Sequence, residues 1–339
     1  MLEACNQCLT RLMRRSSISA RRGAQGDRVI LRQTIKMAIV AVMMLASLLS
    51  STVAEEANPA VRIEADIAKS CYSARIGFSS FWMLSGDELD RIDVHDNSVR
   101  RVPVRGLQSS HSSVAIGEGA VWLGDARATV YKIDPQTEQV VREIPVDLDQ
   151  SSTAFWNLAV GEGAAWVVVG NEKLGRYSAA SGAREATISL PSNSQRVLVA
   201  FGFVWVSGTG NDELYRIDPA TNQITATVEL RARPRALAAG EGAIWVFNEG
   251  DGTVQRINGK GNELLATIET GTVGLADITV GGGFVWVLTA LGDIIQIDPR
   301  SDSVQGKFKA KAGGYFAIDY GGDSLWMCGT AAYRITPPR

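Results

Sequence analysis

Apolar residues in this chain come in short runs that alternate with polar positions and are broken by Gly, Asp, Asn and Pro. The stretch Leu237-Ala-Ala-Gly-Glu-Gly-Ala-Ile-Trp245-Val-Phe247 shows the pattern best: an apolar run, a Gly-Glu-Gly turn, and a second run around a Trp. Thr253–Ile257 gives a third run and Glu263–Ile268 a fourth. Short alternating runs between turn residues predict β-strands rather than helices. The unit recurs. Trp82, Trp122, Trp166, Trp205, Trp245, Trp286 and Trp326 form a near-regular series, and only Trp156 lies outside it. Four strands repeating at about 40 residues mark propeller blades. The expected fold is all-β, a seven-bladed β-propeller of four-stranded antiparallel blades.

Blades 1 to 6 carry the full set of runs, from Ser73–Val104 in blade 1 to Ile278–Phe308 in blade 6. In blade 7, Ile318–Trp326 covers two strands and Ala332–Ile335 a third, and Pro337-Pro338-Arg339 follows. A three-stranded blade would leave an unpaired edge. Val61–Ala65 has the same alternation as Leu264–Ile268, so an N-terminal strand is expected to close the last blade. Glycine pairs such as Gly117/Gly119 and Gly240/Gly242 are expected to frame hairpin turns needing positive φ at one position. Asp134-Pro135, Asp218-Pro219 and Asp298-Pro299 read as the start of the next turn. The tryptophans are expected to pack between neighbouring blades.

The stretch from Met1 to Ala54 breaks this pattern. Met37–Leu49 is an almost wholly apolar run preceded by Arg28, Arg32 and Lys36 and followed by the small-residue stretch Thr52-Val53-Ala54. This is the layout of a secretory signal peptide with cleavage after Ala54. The run is short for a membrane span, which needs about 20 residues. No stable membrane insertion is therefore expected after cleavage, a retained anchor being the alternative. The chain divides into a leader and signal peptide, 1–54, and a propeller, 55–339. The expected location is periplasmic or secreted.

Charge sharpens this. The leader and signal peptide hold 8 Lys+Arg and 2 Asp+Glu of the chain's 34 and 36, so the exported part carries 26 and 34 and a net charge of −8. An acidic body argues against nucleic acid and anionic membrane as broad partners.

In a propeller of this kind the segment entering each first strand and the loop after each Trp strand share one face. Reading nine to twelve residues before each Trp gives Cys71, Tyr72, His111, Phe155, Trp156, Asn157, Gln195, Arg196, Arg233, Arg235, Asp277, Tyr315 and Phe316 as the mouth of the central channel. Scaffold repetition does not demand this mixture of aromatic and arginine side chains. It is expected to bind an anionic or aromatic small ligand, a glycan, a peptide or a protein. Single-stranded nucleic acid on Arg196, Arg233, Arg235 and Trp156 would use the same chemistry, but compartment and charge weigh against it. Asp87-Glu88, Asn211-Asp212-Glu213 and Asp251 lack calcium-loop spacing and read as turns.

The signature apolar-x-Val-Gly-x-Gly-x-x-Trp-Val, followed by x-x-Ile-Asp-Pro, resembles the secreted YncE/YVTN-type β-propellers and the related virginiamycin B lyase repeats. It spans about residues 61–336. The lyase resemblance would imply a divalent metal held by His and acidic residues on late blades. The only histidines are His95 and His111. No catalytic residue, metal ligand or cofactor is therefore assigned, and a non-catalytic binding module, monomeric, is the leading reading; a metal-dependent lyase-like enzyme with a diverged site is the alternative. Cys71 and Cys328, the only cysteines of the exported part, fall at the same face of adjoining blades. They read as a disulfide clasping the ring or as two buried thiols.

Overall fold

The computed structural model describes residues 62–108, 112–146, 157–170, 172–310 and 314–337. The expected leader and signal peptide with the expected cleavage site, Val61, His111, Phe155 and Trp156 lie outside the described residues.

The described chain forms seven sheets of four antiparallel strands, arranged as the blades of a β-propeller. Six blades are built from consecutive strands. The seventh pairs Tyr315–Gly321, Ser324–Gly329 and Ala332–Thr336 with the N-terminal strand Arg62–Ile67. That strand runs past the expected end at Ala65, and its register steps over one residue between Ile63 and Ala65. The inner strands Ser73–Gly77, Ser113–Gly117, Leu158–Gly161, Ser194–Ala200, Pro234–Gly240, Ala276–Gly281 and Tyr315–Gly321 ring the channel.

Burial explains the sequence pattern. Second strands such as Ala164–Val169 and Ala243–Asn248 are buried at every residue, because a neighbouring blade covers each face, and so they read as unbroken apolar runs. An outer strand such as Leu264–Glu269 buries only Ile268, half-covers Ala266 and leaves the rest exposed. Each of the seven inter-blade cores contains one tryptophan of the repeat, none more than 1 % exposed. At about 200 Å² apiece and ~25 cal/mol per Å², each contributes roughly 5 kcal/mol before ordering costs. Every indole Nε1–H donates to a carbonyl five residues upstream, as from Trp245 to Gly240 at 3.1 Å, so the ring is buried with its polar atom satisfied.

The turn chemistry departs from expectation in two respects. The middle and last turn residues both adopt positive φ, 50° at Glu118 and 70° at Gly119, which is the two-residue turn that matches strand twist. The first glycine of the pair serves a different need. A Cβ on Gly117 would lie 2.8 Å from the Val160 backbone oxygen of the next blade, so only glycine lets the inner strands approach this closely. Blade 4 has Ala200 there instead, and Ala239 stands where the next blade elsewhere carries Val, Ile or Tyr; both are packed in the core between blades 4 and 5.

A further set of contacts joins the blades. Arg91, Lys132, Arg176, Arg256 and Arg334 each place a cation 5.1 to 5.4 Å from the tryptophan ring of their own blade. The same side chains reach outward. Arg256 Nη1 donates to the Pro299 carbonyl at 2.7 Å and to Asp302 Oδ1 at 2.9 Å on blade 6. Each of these basic side chains thus combines a cation–π contact with a tie to the neighbouring blade.

Candidate functional site

The inner strands bring side chains to the channel in layers, because alternate residues of a strand share a face. The layer nine residues before each tryptophan holds Ser73, Ser113, Asn157, Arg196, Ala236, Asp277 and Ala317; the layer seven before holds Arg75, Ala115, Ala159, Leu198, Ala238, Thr279 and Asp319. Charged groups therefore gather on blades 1, 4, 6 and 7. At the mouth a cavity of about 680 Å³ opens, lined among others by Tyr72, Arg75, Arg196, Arg235, Asp277, Tyr315 and Phe316. Gly86, Asp87 and Ala290, from loops that follow Trp strands, line it too, so the two kinds of segment do share one face. A narrow neck of about 40 Å³ continues inward past Ser113, Asn157 and Arg196.

Local backbone irregularities aim several of these side chains. The register steps between Ser194 and Val197, between Pro234 and Ala236, and between Tyr315 and Ala317. Each step leaves an extra residue in the inner strand, which is how a β-bulge redirects a side chain. Arg196, Arg235 and Phe316 lie within these steps.

Electrostatics divide the mouth. Glu249, 6 % exposed, accepts from Arg233 Nη2 at 2.7 Å and from Arg235 Nη1 at 3.2 Å. Arg233 stands on the rim, does not line the cavity, and is largely exposed. Asp277 accepts from the Ile318 amide at 3.1 Å, with Arg75 Nη1 3.6 Å away. Arg196 Nη1 donates to Asn157 Oδ1 at 2.9 Å. Burial lowers the Arg196 pKa to about 10, with Asp277 opposing and Arg235 and Arg75 reinforcing the shift. It remains a cation at neutral pH. Deeper in, Asp319 accepts from the Ile76 amide at 2.8 Å and from Thr279 Oγ1 at 3.0 Å. Burial raises its carboxyl above the usual range, against the pull of Arg75 and these hydrogen bonds.

The opposite rim is apolar. Tyr72 and Phe316 are 50 % and 54 % exposed, with ring centroids 6.2 Å apart. Leu275, also lining the cavity, is 53 % exposed. Tyr315 is buried against Tyr333, centroids 6.1 Å apart, and burial pushes its phenol up to about 12. Cys71 and Cys328 are joined as a disulfide between blades 1 and 7, Cα atoms 5.4 Å apart, directly beside Tyr72.

Of the sequence-predicted residues, the cavity and its neck thus bring together Tyr72, Asn157, Arg196, Arg235, Asp277, Tyr315 and Phe316. Arg75, Glu249 and Asp319 were missed. Arg75 and Asp319 sit seven residues before Trp82 and Trp326, deeper than the window read from sequence, at a position that is Ala in three blades. That break in the repeat was the available signal. Among the described residues no three His, Cys, Asp or Glu side chains lie close enough to hold a metal ion. No protein-family model matches the chain, and no curated protein matches it. Fold and opening together define a seven-bladed β-propeller with a polar and aromatic channel mouth.

Proposed function

We propose that this protein is an exported, non-catalytic binding module that takes its ligand at the channel mouth. The observation that carries the reading is the 680 Å³ cavity with Arg75, Arg196 and Arg235 on its wall and Tyr72 and Phe316 on its lip. Cavities of about 300–1,000 Å³ with a few convergent polar groups are the usual form of small-molecule sites. Export is supported by the order of basic, apolar and small residues from Arg28 to Ala54. In an oxidising compartment the Cys71–Cys328 clasp would persist. The partner is a small ligand, glycan or peptide, or a protein presenting such a group.

The test is a binding screen by thermal shift and ligand-observed NMR with small carboxylic acids, phosphate esters, oligosaccharides and short peptides. Hits should be lost in the paired variant Arg196→Met/Arg235→Met, with its melting curve otherwise intact. Ligands that bind the paired variant as well as the parent would move the site elsewhere. N-terminal sequencing of the mature protein should begin at Glu55; a start upstream of it would remove the export assignment.

A further inference from the structure

The mouth sorts its chemistry by side. Blades 4 and 5 contribute Arg196 and Arg235, whereas Tyr72, Leu275 and Phe316 come from blades 1, 6 and 7 and present half-exposed apolar surface. Contiguous exposed apolar surface beside a cavity marks a contact site. A ligand filling this space would displace about 20 waters from the 680 Å³ opening, taking ~30 Å³ per water.

Charge at the mouth is nearly, but not fully, balanced. Of the charged side chains that line the cavity, Arg75, Arg196 and Arg235 face Asp87 and Asp277, which leaves one positive charge even with both carboxyls ionised. The surplus can be located. Glu249 is shared by Arg233 and Arg235, and Asp277 faces Arg75. Arg196 has only the neutral oxygen of Asn157, with no carboxylate among the described residues within 4.0 Å. A guanidinium carries five donors in a planar fork suited to a carboxylate, and here the side-chain bond to Asn157 is the only one made to a described residue. Ser113, which lines both cavity and neck, keeps a buried hydroxyl without a partner among the described residues.

We propose, building on the mouth as the binding site, that its ligand is a monoanionic amphiphile: a carboxylate set against Arg196 and Arg235, and an apolar or aromatic body laid over Tyr72, Leu275 and Phe316. One negative charge satisfies Arg196. A dianionic phosphate ester would bring a second charge beside the buried Asp277 with no free cation among the described residues to meet it. A neutral amphiphile would cover the lip but leave the guanidinium dry and unpaired.

The test uses dansylated undecanoate, its primary amide and the corresponding alkyl phosphate, titrated against the mature protein by dansyl fluorescence. The carboxylate should bind at least about ten-fold tighter than either analogue, a difference of about 1.4 kcal/mol. Arg196→Met should remove that preference, and Phe316→Ala should weaken carboxylate and amide alike. The comparison of the three probes on the parent protein needs no variant, so a misfolded Arg196→Met does not blunt it. Equal binding of carboxylate and amide, tighter binding of the phosphate, or no binding of the carboxylate would each overturn the proposal. If all three probes bind equally and Phe316→Ala weakens them all, the monoacid falls while the mouth stands. Binding untouched by every mouth variant would take both away.

Discussion

Replacing Cys71 and Cys328 together by Ala isolates what the clasp contributes. The two residues are 257 apart in sequence, so the disulfide ties almost the whole propeller into one loop of the unfolded chain. Loop-closure entropy for that length gives about 5–6 kcal/mol at 25 °C, and native disulfides return about 2–5 when removed. The folded ring should survive, because Arg62–Ile67 still pairs with Ala332–Thr336 at five positions. Both cysteines are fully buried, so Ala also loses a little packing; reduction of the parent with dithiothreitol controls for that. Denaturant unfolding should show a stability loss of about 3–5 kcal/mol. The m-value should rise, because the unlinked chain exposes more surface. A loss under about 1 kcal/mol would show that the thiols are not bonded in the folded protein. A large loss with an unchanged m-value would place the effect in native packing and refute the entropic account.

Trp245→Ala should cost about 3–5 kcal/mol, since the indole fills the core between blades 5 and 6, bonds Gly240 and carries Arg256 over its face; a loss under about 1 kcal/mol in chemical denaturation would refute that role. Deleting residues 55–67 should lower the melting temperature by exposing the edge of Ala332–Thr336, and an unchanged melting temperature would count against the closure. Asp319 gives a pH signature. Its carboxyl pKa is raised in the fold, so it adds no penalty below the ordinary carboxylate value and a growing one from there up to the folded value. Asp319→Asn should therefore gain in stability relative to the parent as pH rises from the ordinary carboxylate value through the raised folded one, and a pH-independent difference would contradict the assignment.

The blades were legible because scaffold demands repeat. Every blade needs a large buried ring against its neighbour and a tight inner turn, so Trp and Gly return at fixed spacing. Closure was legible for a related reason: a blade short of a strand must find one, and Val61–Ala65 was the stretch with the right alternation. The site was harder. Arg196, Arg235 and Phe316 stood out by residue type, but their aim depends on bulges that no local residue pattern announces. Arg75, Asp319 and Glu249 act through partners on other blades or on another loop, as Asp319 does with Ile76 and Thr279. Such contacts follow from ring closure and not from spacing along the chain. The second positive φ at Glu118 was missed because a charged residue hides a turn position that glycine would have advertised.

The most direct measurement is a crystal structure of the mature protein with dansylated undecanoate bound. The carboxylate should lie within about 3 Å of the Arg196 or Arg235 guanidinium, with the chain over Tyr72 and Phe316. A ligand lodged away from the channel mouth, or one seated there with its carboxylate turned out to water, would contradict this placement.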